Sequence, residues 1–222
     1  MEVDTMVNVA FDNRNLNEKI YYYLRDKIVS TELRPGTRID YNEIAKELGV
    51  SKTPVRDALQ LLQQDGLVEV KSRSGTYVSQ PKVKDIEEIY EVRKALERQA
   101  IKLAMSNLPK QTLEELYQNT LDVDKDIDRG NFQSFFHSDR NLHKTLITCS
   151  ENSRLIKMME SIEAQINWIG VIIARSQERP RQANNEHKGI LQALINSNVS
   201  VAQNLMEEHI EGIKQMTLKD FK

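Results

Sequence analysis

The 222-residue chain has a single cysteine, Cys149. That excludes an intrachain disulfide framework and fits a reducing compartment. No apolar run approaches the length needed to cross a bilayer. The opening Met1-Glu2-Val3-Asp4 is acidic where a secretory leader would be basic and then apolar. A cytoplasmic, membrane-free protein is the expectation. Charge of one sign is missing too. The net charge is −2 with a pI near 6.1, and the two parts of the chain do not differ. Residues 1–80 hold 11 Lys and Arg against 12 Asp and Glu, and the remainder 20 against 21. Any nucleic-acid surface must therefore come from local arrangement, because phosphate responds to the field near one face. Glycine-rich phosphate loops, a nucleophile elbow, a Cys-x-x-Cys pair and internal repeats are also absent.

What is present is an ordered string from Leu33 to Val78. A Pro35-Gly36 corner leads to a short amphipathic segment, Tyr41 to Leu48. The turn Gly49-Val50 precedes a second segment from Ser51 to Gln64. Asp65-Gly66 then opens a β-like pair, Leu67 to Val70 and Thr76 to Val78, around Ser74-Gly75. Two short helices, a tight turn and a two-stranded wing can lay one helix in a DNA major groove. Upstream, Leu16, Ile20, Tyr23, Leu24 and Ile28 mark a helix over 16–29, with Asn15 as its N-cap.

In the second segment Val55, Ala58, Leu59 and Leu62 form the inward stripe. Lys52, Thr53, Arg56, Gln60 and Gln63 lie opposite, and all can donate hydrogen bonds. Ser51 suits the N-cap, and Pro54 is tolerated where first-turn amides lack intrahelical acceptors. An exposed helix start with a lysine and an arginine reads phosphate and base edges. Arg56 can fork onto guanine, a contact worth roughly 1–3 kcal/mol of discrimination. Lys52 and Thr53 are better placed for phosphate. Gly75 permits a tight wing turn, and Lys71 and Arg73 bring charge to the next groove. Taken singly, each of these residues could equally be a solvated surface group.

Taken in order, they resemble the GntR family of bacterial transcription regulators over Leu16 to Val78. The shared string is Leu33-x-Pro35-Gly36, Ile44-Ala45-x-x-Leu48-Gly49-Val50-Ser51, Pro54-Val55-Arg56-x-Ala58-Leu59-x-x-Leu62, Gly66-Leu67-Val68 and Gly75-Thr76-x-Val78. The resemblance implies DNA contacts from Ser51, Lys52, Thr53 and Arg56, and from Arg73, Ser74 and Gly75 in the wing. Some members carry an arginine where this chain has Asn42, which weakens that contact.

Beyond the linker, residues 80–84, the pattern is helical to the end. Segments over 85–106, 110–129, 131–148, 153–176, 180–196 and 199–216 predict an antiparallel bundle of about six helices. Asn184 is the N-cap of the fifth if that helix begins late. The expected organisation is a flexible 1–15, a winged helix-turn-helix over 16–79, and an all-α domain over 85–222. The fold class is mainly α.

The chain has four histidines: His137, His143, His187 and His209. Asp139 and His143 stand four apart on one helical face and can chelate one cation. His187 and His209 border apolar stripes of later helices. If three imidazoles and a carboxylate converge inside the bundle, they suit a divalent transition metal such as Zn, Ni or Mn. Buried structural histidines are the competing reading. His137 is one residue too close to Asp139 to share its face. Arg93 and Glu97 form another four-residue pair, either an ion pair between helices or part of a pocket. Trp168 and Tyr90 read as packing residues.

The segment from Asp85 to Met216 resembles the FCD effector domain of the FadR subfamily. Its motif appears as Asp139-x-x-x-His143, Glu186-His187, and His209 after Ala202 and Met206. The resemblance implies metal ligation by Asp139, His143, His187 and His209. It also implies an arginine clamp for a small carboxylate effector, Arg93 first and Arg175 second. A homodimer on a palindromic double-stranded operator completes the expectation. Two other readings stay open: a metal-dependent hydrolase or lyase with a DNA-binding appendage, and a metal-ion sensor. Against the enzyme, no general base stands at a fixed spacing from the donors, and the bundle's glutamates read as solvent-facing.

Overall fold

Ile20, Leu24 and Ile28 recur at helical spacing, and all three are buried along α1 (Leu16–Val29). The computed structural model describes residues 16–173 and 178–221; Asn15 lies outside them. After α1, Gly36 takes a φ of +80° that an L side chain rarely adopts. Its amide donates to the Val78 carbonyl at 2.9 Å, which pins the corner to the last strand.

The strand β1 (Arg38–Ile39) follows, then α2 (Tyr41–Glu47), capped by the Asp40 carboxylate on the Asn42 amide. Gly49, at φ +65°, turns the chain into α3 (Lys52–Gln64). Val55, Ala58, Leu59 and Leu62 are its buried residues, matching the stripe seen in sequence. Strands β2 (Val68–Lys71) and β3 (Gly75–Val78) pair antiparallel, with Val68 opposite Val78 and Lys71 opposite Gly75. The sheet has three strands in the order β1-β3-β2, not the two expected. Arg38 and Ile39 add a third by pairing with Tyr77 and Thr76.

The chain divides after Ser79 into two compact units. The second holds α4 (Val83–Ala104), α5 (Lys110–Asp128), α6 (Gln133–Cys149), α7 (Ser153–Ile173), α8 (Glu178–Ile195) and α9 (Val199–Phe221). These six helices, among the described residues, pack chiefly as α4 on α9, α5 on α8 and α8 on α9. One core joins Ile86, Tyr90 and Ile101 of α4 to Leu142 and Leu146 of α6. Ile190 and Leu194 of α8 and Met206 and Ile210 of α9 complete it. Gly130, at φ +78°, ends α5, with the Asn131 amide reaching back to the Asp126 carbonyl. No described helix is long and apolar enough to cross a membrane.

Helix α4 begins at Val83 and ends at Ala104, two residues ahead of the 85–106 reading, and α6 begins at Gln133 rather than 131. Two further boundaries differ for physical reasons. Helix α8 starts at Glu178, because Pro180 falls in the first turn, where no amide is needed. Asn184 is therefore not an N-cap. It is fully buried inside α8 and donates to the Thr120 carbonyl (2.9 Å) and the Asp124 carboxylate (2.7 Å) of α5. Helix α9 runs past Met216 to Phe221, with Thr217 buried.

Candidate functional site

In the first unit, α3 presents one open face. Ser51, Lys52, Thr53, Arg56, Gln60 and Gln63 are all exposed, while the opposite stripe is buried. Ser51 holds the N-cap position in extended geometry, but its hydroxyl caps no amide. The expected side-chain cap is absent, leaving that hydroxyl available. The Arg56 guanidinium lies over the Tyr41 ring, 4.8 Å from its centroid, with Nη2 3.4 Å from the phenol oxygen. That contact tethers the arginine to α2 and lowers the Tyr41 pKa by hydrogen bond and charge. Asn42 stays local, donating to Asp40.

In the wing, Arg73 sits at a positive φ of 60° and the Ser74 hydroxyl meets the Tyr77 phenol at 2.8 Å. Lys71 packs over the Tyr77 ring and bonds Glu69 at 3.0 Å. Gly75 has a φ of +128°, and a Cβ there would meet Arg38 Nε at 3.3 Å. Arg38 is thus a wing cation that the sequence pattern did not single out. A two-residue strand is too short to announce itself by alternation.

In the second unit the chain gathers four distant donors. Helix α6 supplies Asp139 and His143 one turn apart, α8 supplies His187 and α9 supplies His209. One ligand atom of each lies within 4.8 Å of all the others. The Nε2 atoms of His187 and His209 are 3.1 Å apart. Asp139 Oδ1 stands 3.5 Å from His187 Nε2 and 3.8 Å from His143 Nε2. Donors bound to one cation at about 2.0–2.1 Å stand roughly 3.0–3.4 Å apart, so a small contraction would close this set. His143, His187 and His209 are 6%, 1% and 1% exposed. The Nε2 of His143 is buried without a hydrogen-bond partner, an orphan that a cation would satisfy.

Carboxylates orient two of the rings from outside. His143 Nδ1 bonds Glu97, and His209 Nδ1 meets Glu186 at 2.7 Å. A proton held on Nδ1 leaves the Nε2 lone pair facing the cluster. Burial, with the neighbouring imidazoles and Arg93, holds the His187 pKa well below its ordinary value. Burial also lowers His209, partly opposed by its bond to Glu186. Neutral imidazole is the ligating form.

Glu97 corrects the expectation that the bundle's glutamates face solvent. It is 2% exposed, on α4, and bridges two groups. One oxygen accepts from Arg93 Nε at 2.6 Å, and the other meets His143. Burial raises its pKa, but His143 and Arg93 more than offset this and hold it below the usual range. The Arg93–Glu97 pair lies within α4 rather than between helices. Arg93 is buried, and its charge is felt at Asp139, His187 and His209. Arg175 lies outside the described residues. His137 is exposed and not among the four donors. Trp168 and Tyr90 are buried packing residues. A cleft of about 930 Å³ is lined by His209 and Glu186 together with Phe132, Arg181 and Leu205. Neither Arg93 nor Asp139 lines it.

A winged helix-turn-helix followed by a helical bundle with a histidine-carboxylate centre defines a class of bacterial transcription regulators. Residues 16–78 match the bacterial regulatory proteins of the gntR family, and residues 88–212 match the FCD domain. The chain belongs to the GntR family and carries an FCD domain.

It is 25% identical over 215 residues to the HTH-type transcriptional repressor RspR of Escherichia coli, covering 97% of this chain and 93% of that one. The solved structure of E. coli McbR/YncC shares the fold, with a TM-score of 0.77 at 21% identity over 94% of this chain and all of that one. The metal-free FCD domain of TM0439 aligns with a TM-score of 0.56 at 25% identity, over 64% of this chain and 98% of that one. Regulators of this family bind DNA and usually act as dimers. The enzyme reading falls away, because the relatives are transcription regulators and the fold is theirs.

Proposed function

We propose that this regulator holds a divalent transition metal on Asp139, His143, His187 and His209, and that a small carboxylate bound at this centre changes its affinity for operator DNA. The observation carrying this reading is the convergence of three buried Nε2 atoms and one carboxylate oxygen, one of the nitrogens without a partner. Zn, Ni or Mn would suit the donors. The bound cation would supply Lewis acidity and positive charge to an oxygen ligand.

The chain's own groups prepare that role. Glu97 and Glu186 fix two ring orientations. The short His187–His209 contact needs a proton on His187 Nε2, since His209 spends its own on Glu186. Cation binding displaces that proton. Arg93, whose Nε is committed to Glu97, is the candidate partner for the acid's carboxylate.

DNA is read by a domain over residues 16–79, followed by an effector domain whose first helix, α4, begins at Val83, inside the expected 80–84 linker. Ser51, Lys52, Thr53 and Arg56 enter the major groove, while Arg73, Ser74 and Gly75 approach the adjacent one. A homodimer would set two such helices about one DNA turn apart on a palindrome. The acid acts only through a difference in affinity between DNA-competent and incompetent arrangements. Metal analysis tests the centre. The wild type should carry about one ion per chain, and His143→Ala and His209→Ala far less; unchanged content in both variants would sink the reading.

A further inference from the structure

We propose that Arg38 is a phosphate-binding residue of the wing, a cation delivered by strand β1 that grips the DNA backbone beside the groove the wing tip enters. This rests on the DNA-reading surface proposed above and adds a residue to it.

The strand register sorts the sheet into two faces. Ile39, Val68 and Val78 are buried, so their immediate neighbours along each strand turn outward. Arg38 pairs with Tyr77, and Tyr77 with Glu69, which sets the three side by side on the outer face. Gly75, two residues before Tyr77, falls on the same face and carries no side chain there. The Arg38 guanidinium takes that space. Its Nε, Nη2 and Cζ stand 3.3, 3.6 and 3.9 Å from where a Cβ of Gly75 would be. Leaning across β3 in this way brings the charge to the root of the wing turn. The backbone beneath it is fixed. The Val78 amide donates to the Thr37 carbonyl at 2.8 Å, and the Gly36 amide to the Val78 carbonyl at 2.9 Å.

The neighbouring charges decide what this arginine can do. Lys71, on the same face, lies over the Tyr77 ring and bonds Glu69 at 3.0 Å, so its charge is answered. Arg38 is exposed, and among the described residues no carboxylate forms an ion pair with it. Asp40 is near enough to feel its charge. That carboxylate, however, is committed to Asn42, accepting from its amide at 2.7 Å and its side chain at 2.9 Å. Arg38 thus keeps an unanswered charge at a fixed place. Arg73 and Ser74 occupy the turn and can reach into a groove, whereas a group at its root meets the rim, which is phosphate. A guanidinium can meet two phosphate oxygens at once.

The full-length protein tests this by titration onto the DNA upstream of its own gene and onto a random duplex of equal length, between about 50 and 200 mM salt. Each phosphate contact adds about 0.9 to the slope of log affinity against log salt. Arg38→Gln keeps most of the side chain's length and removes its charge. It should weaken binding to both duplexes by the same factor and lower the slope by about 0.9 per contact. Across that salt range the wild type should lose about 3-fold more affinity than the variant for each contact removed. Arg38→Lys should keep the wild-type slope, because an ammonium still neutralises a phosphate.

A wild-type slope in Arg38→Gln would overturn the proposal. So would a loss confined to the upstream DNA, which would make Arg38 a base reader. Equal slopes in Arg38→Lys and Arg38→Gln, both below wild type, would reduce the arginine to wing packing. Arg73→Ala separates this proposal from the reading beneath it. If it lowers the slope while Arg38→Gln does not, the wing still meets DNA and Arg38 alone is excluded. If neither variant lowers it, the wing surface falls as a whole.

Discussion

Glu97 of α4 and His143 of α6, 46 residues apart in sequence, share a hydrogen bond closed off from water, and the same carboxylate holds Arg93. One side chain thus ties the helix that opens the effector domain to a donor of the candidate metal centre. A buried carboxylate is costly unless every oxygen is answered, and here both are.

Glu186 plays the matching part for His209, at 2.7 Å from Nδ1. Glu186→Ala should leave the four donors in place and still lower metal affinity by about 10–100-fold. Competition with a colourimetric chelator measures it. Wild-type affinity in the variant would mean that ring orientation at His209 is set by packing alone.

Acid should weaken the metal-free bundle early. The pKa values of His187 and His209 lie below their ordinary 6.5 in the folded protein, so the unfolded chain binds more protons once pH drops under that value. Their contribution to stability is complete above about pH 6.5 and is lost as the pH falls toward their folded values. Glu97, held below 4.5, extends the loss further down the acid range. Thermal melts in the presence of chelator should fall between about pH 7 and 5, less steeply in His187→Leu. A flat profile over that window would contradict the burial of neutral imidazoles.

Arg56→Ala should reduce affinity for specific DNA by about 1–3 kcal/mol, or roughly 5- to 150-fold. The side chain is exposed and rests on the Tyr41 ring and hydroxyl, so the melting temperature should hardly move. Arg56→Lys should recover little, because a lysine cannot make the bidentate contact. Anisotropy titrations on specific and random duplexes separate the two effects. An equal loss on both duplexes would make Arg56 a phosphate contact.

Gly75→Ala should cost the wing about 1–3 kcal/mol. Its φ of +128° is unfavourable for alanine, and the new Cβ would press on Arg38 at 3.3 Å. Hydrogen exchange should quicken across β2 and β3 while the bundle amides stay protected. Unchanged exchange in the hairpin would show that Arg38 gives way.

Legibility followed the length and regularity of each signal. Helix α1 and the buried stripe of α3 were readable from apolar spacing, and the turns from Gly36, Gly49 and Gly66, each of which takes a positive φ. Strand β1 was not readable, since two residues carry no period. Asn184 read as a cap because it is polar and follows a proline. Its role as a buried donor to α5 depends on a packing partner 64 residues away. Glu97 was hidden for a similar reason. A glutamate four residues after an arginine usually marks a solvated helix face, and the packing of α4 within the bundle, α6 included, buries it. Asp139 and His143 announced themselves by spacing, whereas the approach of His187 and His209 depends on how α8 meets α9.

In the proposed switch, events in the bundle alter DNA binding. The most direct measurement is the affinity of the metal-loaded protein for DNA upstream of its own gene, with and without an acid shown by calorimetry to bind the bundle. The expected change is about 5- to 150-fold in Kd, the usual span of allosteric coupling, and it should be lost in His143→Ala. An acid that saturates the bundle and leaves the DNA affinity unchanged would contradict it.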